Sequence, residues 1–114
     1  MNETLFPLGP CVITQAAEAK LSELKVAPQF LLGRHAFGDF GTAGNYAEIK
    51  PTITPTEWEE GVMATSDDGK INVIAIDRKQ GRVCSYYNLG GHTVWVMTEL
   101  GPEGYTTVLL PSDY

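Results

Sequence analysis

The sequence predicts an α+β fold, with an N-terminal helical hairpin and a third helix packed on a four-stranded antiparallel meander sheet. Three observations predict it. Two proline-bounded helical patterns fill the stretch from Gln15 to Phe37. A capping box, Thr54-Pro-Thr-Glu57, opens a further helix. From Lys70 onward, short β-branched runs alternate with glycine-containing turns. At 114 residues the chain is one domain, and roughly two-thirds of its unfolded surface should be buried on folding.

Each element has a local cause. Pro7 and Pro10 keep the lead-in extended, and Val12-Ile13 can form a short edge strand. Thr14 is a good N-cap for a helix from Gln15 to Lys25, on which Ala17, Leu21 and Leu24 form a narrow apolar stripe. Pro28 ends that helix by excluding the preceding residue from the αR region, and it suits the first position of a second one. Gly38 is positioned as its C-cap. Residues 42–53 read as loop. The third helix should run from the capping box to about Thr65, weakened by ~1 kcal/mol at Gly61 and stopped by Ser66-Asp-Asp-Gly69.

The four expected strands are Lys70–Asp77, Arg82–Tyr87, Thr93–Glu99 and Tyr105–Leu110. Ile71, Ile74 and Ala75 in the first run also satisfy helical spacing, but its β-branched content favours a strand. In the third run, alternation sends Val94, Val96 and Thr98 to one face and Trp95, Met97 and Glu99 to the other. Helices on one side would leave an apolar face open, a hint of a dimer or partner surface.

Composition bounds the function. Eight basic against fourteen acidic residues give a net charge of −6, which opposes direct binding to nucleic acid. The acidic residues are densest at Glu57, Glu59, Glu60, Asp67, Asp68 and Asp77. That density fits a solvated helix face, or a patch imitating DNA phosphates. Cys11 and Cys84 lie in no metal or redox motif, so two free thiols and no metal are expected. No apolar run is long enough to span a membrane. The first residues lack a signal-peptide pattern, so a cytoplasmic location is expected. No cofactor motif is present: Gly38 and Gly41 are not followed by the lysine of a phosphate loop.

The densest chemistry is Phe30-Leu-Leu-Gly-Arg-His-Ala-Phe-Gly-Asp-Phe-Gly41. His35 oriented by Asp39, with Arg34 holding an anion, would be a catalytic arrangement. Adjacent helical residues point about 100° apart, which works against Arg34 and His35 sharing one small ligand. The alternative is a capped helix end in which Arg34, His35 and Asp39 fix a corner. The candidate binding residues are Arg34, His35, Asp39, Phe40 and Trp95, with no catalytic residue assigned. His92, after Gly90-Gly91, reads as an exposed turn residue.

The segments Arg34-His-Ala-Phe-Gly-Asp-Phe-Gly41, Val94-Trp-Val-Met-Thr-Glu99 and Thr106-Thr-Val-Leu-Leu-Pro-Ser-Asp-Tyr114 together resemble a known group. It comprises small plasmid- and mobile-element-borne proteins with RHxxGDWG, VWVITE and TTVLLPxxY motifs. Phe40 stands where that group has Trp, and residues 42–70 depart most from it. Its members are often labelled plasmid-related or restriction–modification subunits. A methyltransferase subunit would need a cofactor fold that a chain of this size without a βαβ pattern cannot supply. The resemblance implies a mobile-element context and no reaction. The resulting expectation is a protein-binding accessory factor, an inhibitor or regulator of host restriction or CRISPR defence, with self-association as a homodimer also expected. The competing expectations are a small enzyme using His35, Asp39 and Arg34, and a dimeric structural module.

Overall fold

A computed structural model describes residues 3–114, so the first two residues of the expected lead-in lie outside it. The fold is α+β with a four-stranded mixed sheet. Strand β1 is Cys11–Ile13, followed by helices α1 (Gln15–Leu24) and α2 (Pro28–Ala36). A short helix α3 (Tyr46–Ile49) and a 3-10 turn occupy part of the expected loop, and α4 (Pro55–Glu60) follows. Helix α5 (Asp68–Arg78) precedes strands β2 (Gly81–Leu89), β3 (His92–Leu100) and β4 (Tyr105–Leu109).

Local signals set the early boundaries. The Thr14 hydroxyl accepts from the Ala17 N–H, and Pro28 opens α2. The capping box at Thr54 and Glu57 is formed in both directions. Helix α4 is shorter than expected. Gly61 adopts φ 78°, outside the right-handed helical region, and the chain continues as a 3-10 turn to Ala64.

The antiparallel meander needs two corrections. The run Lys70–Asp77 is helical. Asp67 does not stop a helix there but caps α5, its carboxylate accepting from the Lys70 N–H. The helix then buries Asn72, Val73 and Ile76 against β2 and the core, and this packing overrides the β propensity of its isoleucines and valine. The fourth strand is instead β1, which pairs in parallel with β4, giving the order β1-β4-β3-β2. The expected helical hairpin also differs in detail, its two helices making their closest backbone approaches to the sheet. Helix α1 rests on β4 and α2 on β3, and both contribute to one apolar cluster with the sheet.

The covered face of the sheet carries two apolar clusters. Leu21, Leu31, Tyr87, Val94, Val96 and Val108 form one beneath α1 and α2. Phe6, Phe40, Ile53, Val73, Ile74 and Val83 form the other around α5. Between them runs a row of polar side chains, Ser85, Thr98 and Thr106, all fully enclosed. No described helix is long and apolar enough to cross a membrane.

Candidate functional site

His35 projects from α2 into that polar row and is 0% exposed. Its Nδ1 lies 2.6 Å from Ser85 Oγ and its Nε2 2.8 Å from Thr98 Oγ1. Thr98 Oγ1 is 2.7 Å from Thr106 Oγ1, which in turn donates to the Leu8 carbonyl at 2.7 Å. The carbonyl end fixes the protons as far as the imidazole Nε2. Thr106 spends its hydrogen on Leu8, so Thr98 donates to Thr106. Thr98 then accepts from His35 Nε2–H, and Ser85 donates to the bare Nδ1. Burial disfavours a second ring proton, which makes His35 a neutral Nε2–H imidazole. Burial drives its pKa from the ordinary 6.5 down to about 3. The edge of Phe6 meets the ring at 5.2 Å.

Arg34 and Asp39 are brought together, and His35 stands apart from them. Arg34 Nε donates to Asp39 Oδ2 at 2.7 Å, and the guanidinium stacks 4.5 Å from the Tyr87 ring centroid. Asp39 Oδ1 accepts from the Gly41 N–H, and the Asp39 carbonyl accepts from the Tyr87 hydroxyl at 2.6 Å. Partial burial pulls the Asp39 carboxyl upward, but the hydrogen bonds from Arg34 and Gly41 outweigh it and hold the group below its usual range. Both hydrogen-bonding nitrogens of His35 are committed to hydroxyls, so nothing couples it to Asp39.

Phe40 is fully buried, and its backbone does the visible work. The Phe40 carbonyl accepts from the Tyr86 N–H at 3.1 Å, and the Thr42 N–H donates to the Tyr86 carbonyl at 2.9 Å. This clamps the glycine-rich turn onto the outer edge of β2. Gly41, at φ 66°, sits so close that a Cβ would overlap the Tyr86 carbonyl oxygen. One alternate position along the same edge, Cys84, is held by Asn72. The amide donates to the Cys84 carbonyl at 2.7 Å and accepts from the Cys84 N–H at 2.9 Å, as a neighbouring strand would. Asn72 carried no sequence signal, being one polar residue in an apolar helix pattern.

Trp95 lies on the opposite face of the sheet from His35. The α-helices occupy the covered face and the β2 edge, which leaves Tyr86, Trp95 and Met97 half-buried on the other side. Tyr86 and Trp95 meet edge-on at 5.3 Å, and Tyr114 meets Trp95 at 5.5 Å. Arg82 anchors this surface by bonding Glu99 at 2.5 Å and the Tyr114 hydroxyl at 3.0 Å. Val12 on β1, 54% exposed and level with Thr107, extends it. Of the tyrosine pair, Tyr87 faces the core and Tyr86 the open side.

An apolar cavity of about 420 Å³ is lined by Leu5, Phe6, Pro7, Ile76, Leu100 and Pro102, with Lys79 at its rim. None of Arg34, His35, Asp39, Phe40 or Trp95 lines it. No three His, Cys, Asp or Glu side chains among the described residues gather as a metal-ligand set. Comparison with protein-family models, curated proteins and solved structures finds no match for this chain.

Proposed function

We propose that the protein works by binding another protein through the open face of its sheet. The carrying observation is the aromatic row Tyr86, Trp95 and Tyr114 on the sheet face opposite the described helices α1 and α2. Aromatic side chains held rigid by their neighbours are the usual anchors of protein interfaces, and Arg82 at the rim supplies a polar contact. The partner class follows from the motif resemblance and the acidic charge of −6: a component of a host restriction or CRISPR defence system, engaged in the cytoplasm by a mobile-element accessory factor.

The test is reciprocal capture with purified defence nucleases, followed by their activity in the presence of the protein. Binding should be lost in Trp95→Ala and retained in a variant of an exposed residue on the helical side, such as Lys20→Ala. Equal capture by wild type and Trp95→Ala would refute the assignment of the surface. No capture and no inhibition across restriction and CRISPR nucleases would refute the partner class.

A further inference from the structure

We propose that a second copy of this chain docks on the outer face of α2, pairing the two helices antiparallel across a two-fold axis. The stripe is Phe30, Gly33 and Arg34 of α2 with Phe37 at its C-cap, at i, i+3, i+4 and i+7, a spacing that follows one side of a helix. Phe30 is 60% exposed and Phe37 49%, among the largest apolar side chains presented to solvent. Leu5, whose N–H donates to the Ala36 carbonyl, widens the apolar surface at the C-terminal end.

Gly33 is the second observation. A Cβ there would meet nothing within 4 Å, so no contact among the described residues explains the missing side chain. A mid-helix glycine weakens a helix relative to alanine, and it is favoured where another backbone must come close. Here it lies between two exposed phenylalanines.

The pattern also matches its own reverse. A two-fold interface requires that residue i meets j while j meets i. With the axis between Gly33 and Arg34, Phe30 of each copy faces Phe37 of the other, and Gly33 faces Arg34. Charge permits the approach. Each copy carries −6, yet Pro28–Gly38 contains no acidic residue, and Arg34 is already neutralised by Asp39 at 2.7 Å. The surface is separate from the sheet face assigned to a different partner, so the two proposals fail independently.

Sedimentation velocity at micromolar concentration tests it. The wild type should sediment at twice the 12.4 kDa chain mass. Phe30→Glu should be monomeric with an unchanged circular dichroism spectrum, because Phe30 packs little within the chain. Gly33→Ala should keep the fold and weaken the dimer by about tenfold, as an inserted methyl does in a packed interface. A monomeric wild type overturns the proposal. So does a dimer that survives Phe30→Glu, or one that dissociates in Trp95→Ala instead.

Discussion

His35 makes folding stability depend on pH in a window where few other groups act. Its pKa is about 3 in the folded protein and 6.5 when exposed. Between those values the unfolded chain binds one more proton than the folded one. Stability is therefore complete above the unfolded pKa and falls as pH drops toward the folded value. Each pH unit inside the window costs about 1.4 kcal/mol, so acidification from pH 7 to 5 removes about 2 kcal/mol. The full shift corresponds to roughly 5 kcal/mol, a large share of the stability of a small domain. Asp39, whose carboxyl is also held low, acts with the same sign but only nearer the ordinary carboxylate range, about pH 4 and below. Urea denaturation at pH 7, 6 and 5 reads the effect directly, with a midpoint shift of about 1 M expected over that span. His35→Gln should be less stable at pH 7 and should lose most of the slope. A wild-type midpoint that stays constant from pH 7 to 5, or an equal slope in His35→Gln, would refute the buried neutral imidazole.

Four further outcomes follow from the sheet edge and the corner. Gly41→Ala forces a Cβ into the Tyr86 carbonyl at φ 66° and should destabilise by about 2–4 kcal/mol, read by thermal melting. Asn72→Ala leaves the Cys84 N–H and C=O without their partners and should cost about 2 kcal/mol, with faster hydrogen exchange at the Cys84 amide. Asn72→Asp should cost more, since a carboxylate would face the Cys84 carbonyl. Arg34→Lys removes the planar stack on Tyr87 and the Nε bond to Asp39, and should cost about 1 kcal/mol in chemical denaturation.

Where the sequence was legible, the determinants were local. Thr14, Pro28 and the Thr54–Glu57 box act within four residues of themselves, and each marks a helix start in the structure. Alternation in Val94–Glu99 reports a sheet with one covered face, and the burial of Val94, Val96 and Thr98 follows it. The run Lys70–Asp77 departs from the expected strand because its composition favours a strand while its environment favours a helix. Asp67 held the deciding signal, an N-cap that could equally be read as a stop. The parallel pairing of β1 with β4 links residues almost a hundred positions apart, and no local pattern encodes it. The corner reading of Arg34 and Asp39 was available from helix geometry. The role of His35 was not, because Ser85, Thr98 and Thr106 look like ordinary strand residues until the register aligns them.

The glycine-rich corner is best understood by what it does to the sheet. An open strand edge invites uncontrolled pairing with other chains. On β2 the outward groups of Cys84 are taken by Asn72, and those of Tyr86 by Phe40 and Thr42. Arg34, Asp39 and Tyr87 hold the turn that delivers Phe40 and Thr42 there, and Gly41 lets the backbones touch. At the other edge β1 is only three residues long and follows Pro10, a short edge of the kind that resists extension. Both edges are thereby blunted against strand addition. The two surfaces proposed for association, the aromatic row on the open sheet face and the Phe30–Phe37 stripe at α2, both act through side chains and fit that arrangement.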